Sequence, residues 1–196
     1  MKALIIVDLQ YDFLPGGSLE VPKGDEIIPI INNIQKDYDL VVATQDWHPD
    51  NHKSFASQHI DKLPFELIDL NGLEQILWPD HCIQGSFGSE ISDDLDDRKI
   101  EAIFRKGMDE RIDSYSGFYD NGRRKDTGLA GYLRARNINE VHVCGLAADF
   151  CVYFTAMDAI SEGFKTSIIS KATKAIDKGA FIEKKNTFIQ SGGFLI

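Results

Sequence analysis

Short apolar runs alternate along this chain with segments whose apolar residues recur every three or four positions. Lys2–Val7, Leu40–Thr44, Ile100–Phe104, Val141–Gly145 and Thr166–Ser170 are hydrophobic runs bounded by polar residues, the pattern of strands buried on both faces. Ile27, Ile30, Ile31 and Ile34 follow Gly24-Asp25 at helical spacing, with Pro29 tolerable only near the helix start. Asp126-Thr127 predicts a cap for a helix carrying Leu129, Ala130 and Leu133. Val152, Thr155, Ala156, Ala159 and Ile160 predict a helix over Asp149–Glu162, and Ala180–Ile189 predicts a last helix stopped at Gly192-Gly193. Strands alternating with helices of this length predict an α/β fold with a parallel sheet covered on both faces.

In such a sheet the ligand site lies outside the carboxyl ends of the strands. Asp8, Asp46, Lys106 and Cys151 all fall just at or beyond predicted strand ends, so one rim can carry all four. Two long loops, Trp47 to Gly88 and Gly107 to Arg124, are rich in polar and aromatic residues, and long loops in compact domains are more often functional than accidental.

The chain has 196 residues, enough for one domain over 1–196 with its own core. Its net charge of −10 repels phosphate backbones, and the longest basic run is Arg123-Arg124-Lys125, which argues against nucleic-acid binding. No apolar stretch reaches signal-peptide or membrane-spanning length, and three cysteines without regular spacing argue for a reducing compartment. A cytoplasmic protein with no membrane partner is expected.

Cys151 carries the sharpest chemical signal. It opens a helix directly after a buried strand, where unpaired N–H groups and the helix dipole favour a thiolate and can hold an oxyanion. A lowered thiol pKa is therefore expected. Asp8 is placed to exchange a proton with that thiol, and Lys106 to supply a compensating charge. Taken singly, each has a plainer reading: a buried structural cysteine, a strand-end carboxylate, a surface lysine. Asp46-Trp47-His48 puts two metal-competent side chains on one side of an extended segment, and His81 in Trp78-Pro79-Asp80-His81-Cys82 offers a third. A mixed oxygen and nitrogen set suits zinc, iron or manganese. His52 and His59 could each be a further ligand or a plain loop histidine, with the plain reading favoured for both, and Cys82 reads as a packing residue. Phe13, Trp78 and Tyr115 adjoin these loops and suit either a flat ligand or ordinary packing.

The motifs together resemble the nicotinamidase (pyrazinamidase) family of the isochorismatase-like cysteine hydrolases. The resemblance is carried by Val7-Asp8-Leu9-Gln10-Tyr11-Asp12-Phe13 with Pro15-Gly16-Gly17, and by Thr44-Gln45-Asp46-Trp47-His48-Pro49 with Asn51-His52 and Ser54-Phe55. It continues through Trp78-Pro79-Asp80-His81-Cys82, Lys106-Gly107, Asp113 to Phe118 and Gly145 to Val152, in order along nearly the whole chain. It implies a three-layer αβα fold with a six-stranded, mostly parallel sheet. It implies Asp8, Lys106 and Cys151 as a catalytic triad, an oxyanion hole from the N–H groups of Ala147 and Cys151, and a cis peptide between Leu146 and Ala147. Asp46, His48 and His81 would ligate a divalent metal, most readily zinc, with the ring of nicotinamide or pyrazinamide among Phe13, Trp78 and Tyr115. The implied reaction is hydrolysis of nicotinamide to nicotinate and ammonia through a Cys151 thioester, in NAD salvage. The alternatives are another amidase or hydrolase of the superfamily, a metal-bound hydroxide as nucleophile, and a non-enzymatic metal- or pyridine-binding or redox-sensing protein. Homo-oligomers are common among such enzymes. Tyr11 stands where the family often has Asn, and Ala148 where it usually has Thr.

Overall fold

The computed structural model describes residues 1–196. Its elements in chain order are β1 (Lys2–Val7), α1 (Ile28–Ile34), β2 (Leu40–Asp46), β3 (Leu67–Leu70), β4 (Leu73–Ile76), β5 (Ile100–Lys106), α2 (Leu129–Ala135), β6 (Glu140–Leu146), α3 (Cys151–Ser161), β7 (Lys165–Lys174), α4 (Lys178–Gln190) and β8 (Phe194–Leu195). Six strands form one sheet in the order β5-β2-β1-β6-β7-β8, and every neighbouring pair is parallel. Alternation along β1 divides the core into two layers. Leu4 and Ile6 pack with Ile27, Ile28 and Ile31 around α1 on one face. Ala3, Ile5 and Val7 pack with Leu129, Leu133, Val152, Ala156 and Phe188 from α2, α3 and α4 on the other. The fold is therefore the expected three-layer αβα sandwich.

Consecutive strands run outward from β1 to β2 and β5, and the chain then crosses back to β6 on the other side of β1. The strand order thus reverses between β1 and β6, where α/β sheets open a crevice at their carboxyl ends. Register fixes what meets there. Val7 pairs with Gly145, and Asp46 pairs with Lys106. Gly145 has φ +106°, and a Cβ on it would run into the Val7 carbonyl, so glycine alone lets β6 approach β1 so closely.

Several boundaries differ from the sequence reading. β8 has two residues and no periodicity to reveal it; pairing with β7 alone makes it a strand. The loop from Trp47 to Gly88 holds an antiparallel hairpin, β3 and β4, turning at Asn71-Gly72 with φ +55° and +83°. An Asn-Gly pair between strands signals such a turn. α3 starts at Cys151, two residues later than the periodicity suggests. Gly128 precedes α2, so Asp126 and Thr127 receive the Gly128 and Leu129 N–H groups without acting as the formal cap. No helix is long and apolar enough to cross a membrane.

Candidate active site

The carboxyl ends of β1, β2, β5 and β6 bring Asp8, Asp46, Lys106 and Cys151 into one buried cluster. Asp8 follows the last residue of β1 with φ +48°, a left-handed conformation that turns the chain out of the sheet at the rim. Thr44 Oγ1 on β2 donates to Asp8 Oδ1 at 2.6 Å. Lys106 ends β5 with no side-chain exposure. Its Nζ lies 2.9 Å from Asp8 Oδ2, 3.0 Å from Asp46 Oδ1 and 3.4 Å from Cys151 Sγ, and it donates to the Ser114 carbonyl at 3.0 Å. One ammonium therefore bridges two carboxylates and a thiol away from water.

Burial and charge set the protonation states. Burial raises the Asp8 pKa and the charge of Asp46 adds to this, while Lys106 opposes both. Burial would neutralise Lys106, but the Asp46 and Asp8 carboxylates outweigh it and hold the ammonium well above the usual lysine range. Cys151 departs from the expected lowered pKa. Burial pushes the thiol well up, and the negative charges of Asp8 and Asp46 add to it against the pull of Lys106. A position at a helix start is not enough to ionise a thiol enclosed beside two carboxylates. The resting sulfur is protonated.

Asp46, His48 and His81 converge beside this cluster, all buried, with their ligand atoms within 4.8 Å of one another. His48 Nδ1 bonds the Gly107 carbonyl at 2.9 Å and His81 Nδ1 bonds the Pro79 carbonyl at 2.8 Å. A carbonyl only accepts, so both Nδ1 atoms carry protons and both Nε2 atoms present lone pairs when the rings are neutral. Those Nε2 atoms lie 3.1 and 3.5 Å from Asp46 Oδ2. His48 Nε2 is buried without a hydrogen-bond partner, a deficit that a cation would satisfy. The residues therefore fit a divalent metal. Gln10 braces the set, donating to the Asp46 carbonyl at 2.7 Å and accepting the Asp46 N–H at 2.7 Å. Gly107, with φ +68°, has no room for a Cβ against the His48 ring.

His52 is not the plain loop histidine of the sequence reading. It is fully buried with its ring centroid 4.5 Å from that of His48, and burial pushes its pKa down to about 4. Its Nδ1 accepts the Ser54 N–H at 3.1 Å and its Nε2 faces the Ile112 carbonyl at 3.4 Å, the opposite tautomer to His48 and His81. His59 donates to the Lys53 carbonyl at 2.8 Å. Cys82 is a fully buried packing residue whose N–H donates to Asp12 Oδ2 at 2.6 Å.

Phe13, Trp78 and Tyr115 line one cavity with Asp46, Ala147 and Cys151. Trp78 Nε1 donates to the Tyr115 hydroxyl at 3.1 Å, and Phe13 meets the His81 ring edge-on at 5.6 Å. Leu19, Phe150 and Ile176 complete the apolar wall, and the sequence reading missed all three. Only Phe150 carried a signal, its adjacency to Cys151. The Leu146–Ala147 peptide is cis. The N–H groups of Ala147 and Cys151 donate no hydrogen bond within the chain. The two departures lie off the cavity: Tyr11 stacks on Phe87 at 4.2 Å, and the Ala148 N–H donates to the Lys174 carbonyl.

Sheet order, the crevice at its reversal and the buried Asp-Lys-Cys cluster define a class, and comparison with known proteins agrees. The Isochorismatase domain model matches residues 2–187, so the chain belongs to the isochorismatase family. Within it, the nicotinamidase of Acinetobacter baylyi is 48% identical over 181 residues, covering 92% of this chain and 85% of that protein. The structure of the Acinetobacter baumanii nicotinamidase/pyrazinamidase superposes with a TM-score of 0.97 at 48% identity, over 100% of this chain and 95% of that one. The zinc complex of the Pyrococcus horikoshii pyrazinamidase gives 0.82 at 34% identity, over 100% and 98% of the two chains.

Proposed function

We propose that residues 1–196 act as one amidohydrolase domain that converts nicotinamide to nicotinate and ammonia, and that pyrazinamide is a second substrate. The observation that carries this reading is the placement of Lys106 Nζ within 3.4 Å of Asp8, Asp46 and Cys151, which ties nucleophile, base and metal-competent cluster into one buried unit. With its pKa raised, Asp8 is a stronger base than an ordinary carboxylate. It takes the Cys151 thiol proton as the sulfur attacks the carboxamide carbon, while the Lys106 ammonium balances the charge. The free N–H groups of Ala147 and Cys151 donate to the oxyanion. Asp8 returns the proton to the departing nitrogen, the C–N bond breaks, and ammonia leaves a thioester on Cys151. Water then attacks the thioester carbon as Asp8 takes its proton. The sulfur leaves, recovers that proton from Asp8, and nicotinate is released.

Phe13, Trp78 and Tyr115 bracket the flat ring, and Asp46, His48 and His81 would hold a divalent cation, with zinc the first choice given the zinc-bound relative. When bound, that ion supplies a Lewis acid for a pyridine nitrogen, which orients the carboxamide toward the sulfur. Gln10 and the Gly107 and Pro79 carbonyls keep the three ligands in place. Three free, buried cysteines support a reducing, cytoplasmic setting.

The test is ammonia release from nicotinamide by the metal-replete protein and by Cys151→Ala. The wild type is expected to turn over, and the variant to lose turnover while keeping its metal. No release by the wild type would sink the reading. Undiminished release by Cys151→Ala would move the nucleophile to a metal-bound hydroxide.

A further inference from the structure

Lys184 lies on α4 and belongs to none of the groups used so far. A lysine on an outer helix ordinarily extends into water, but this side chain turns inward and is half-buried. Its Nζ lies 4.2 Å from the centre of the Phe150 ring, with the Phe154 and Tyr153 rings at 5.1 and 5.7 Å. The ammonium donates to the backbone carbonyl of Asp149. The Asp149 carboxylate is already committed to the Ile176 and Asp177 N–H groups at 3.0 and 2.8 Å. Burial lowers the Lys184 pKa, as for an amine drawn out of water.

One of the rings that this ammonium faces also builds the site, since Phe150 lines the cavity beside Cys151. Phe150 also packs edge-on against Trp78 at 4.9 Å and lies 5.5 Å from Tyr115, so it links those two walls. A cation over an aromatic face restricts the ring, and the bond to the Asp149 carbonyl fixes the peptide that leads into Phe150 and Cys151.

We propose that Lys184 is a positioning residue, its ammonium pinning the Phe150 ring as the wall against which the substrate ring packs. The inference rests on the nicotinamide-hydrolase reading. Lys184 does not touch the reacting atoms, so it acts on ring binding in the ground and transition states alike. Loss of such uniform binding raises KM and leaves kcat in place.

The experiment is steady-state hydrolysis of nicotinamide by the metal-replete wild type, Lys184→Met, Lys184→Arg, Phe150→Leu and the Lys184→Met/Phe150→Leu double variant, with Tm measured for each. Lys184→Met is expected to raise KM about fivefold with kcat within about twofold. Lys184→Arg, which keeps charge and donors, should return KM to within about twofold. In the Phe150→Leu background, Lys184→Met should add no further change in KM. If Lys184→Met does not fold, Lys184→Gln carries the same expectation, since it keeps a donor but no charge. A lowered Tm with unchanged KM would mean that Lys184 only docks α4 and would overturn the inference, as would a fall in kcat at constant KM. Absence of turnover by the wild type would instead overturn the proposed function, and this inference with it.

Discussion

Replacing Thr44 by valine tests the base in near isolation, because the two side chains share a shape and differ by one hydroxyl. That hydroxyl donates to Asp8 Oδ1 at 2.6 Å, and both residues are fully buried. A hydrogen bond to a charged group is worth roughly 1.5–3 kcal/mol, and one pKa unit corresponds to about 1.36 kcal/mol. Loss of the donor destabilises the ionised carboxylate, so the Asp8 pKa should rise by about one to two units beyond its already raised value. The mechanism needs Asp8 ionised to take the thiol proton. The acid limb of the kcat/KM profile should therefore move to higher pH by the same one to two units, and activity below the limb should fall by about tenfold or more. Thr44→Ser, which keeps the hydroxyl, should restore the limb. The assay is ammonia release from nicotinamide across pH at constant ionic strength, with far-UV circular dichroism to establish folding. An acid limb that stays in place in a folded Thr44→Val protein would refute the assignment of Asp8 as the base.

His81→Ala removes one lone pair facing Asp46 and should lower bound metal well below one per chain by elemental analysis; full metal occupancy would show that another residue replaces it. Stability should also carry a pH signature from His142, at the end of the sheet away from the site. Its Nδ1 accepts the Tyr38 hydroxyl at 2.8 Å, and burial lowers its pKa below 6.5 even though Glu140 opposes the shift. The unfolded chain then binds the proton more readily, so this contribution is complete above about pH 6.5 and is lost as pH falls toward the lower, folded-state pKa. Urea midpoints measured from pH 7.5 down to 5 should decline less in His142→Gln than in the wild type; parallel declines would remove His142 as the cause.

Much of the layout could be read from local pattern. Buried strands in a parallel sheet need unbroken apolar runs, and helices on its faces need a 3.6-residue period, so β1, β2, β5, β6, α3 and their order are visible in residue type alone. The rule that ligands sit at strand carboxyl ends then selects Asp8, Asp46, Lys106 and Cys151 without a contact map. Elements whose stability is not local were hidden. β8 is a strand because β7 supplies its partner, and Ile176 lines the cavity because Asp149, on another segment, accepts its N–H at 3.0 Å.

By itself, then, the sequence determined which side chains could do chemistry and on which rim of the sheet they stand, because backbone preference and hydrophobic period act over a few residues. Tertiary structure alone decided their state. The Cys151 thiol is neutral at rest because burial and two carboxylates, brought from β1 and β2, outweigh one ammonium from β5. His48 and His81 present Nε2 because carbonyls from distant loops hold Nδ1, and His52 presents the other tautomer because Ser54 does the reverse. Charge and tautomer depend on what lies within a few ångströms in space, and those neighbours come from residues far apart along the chain.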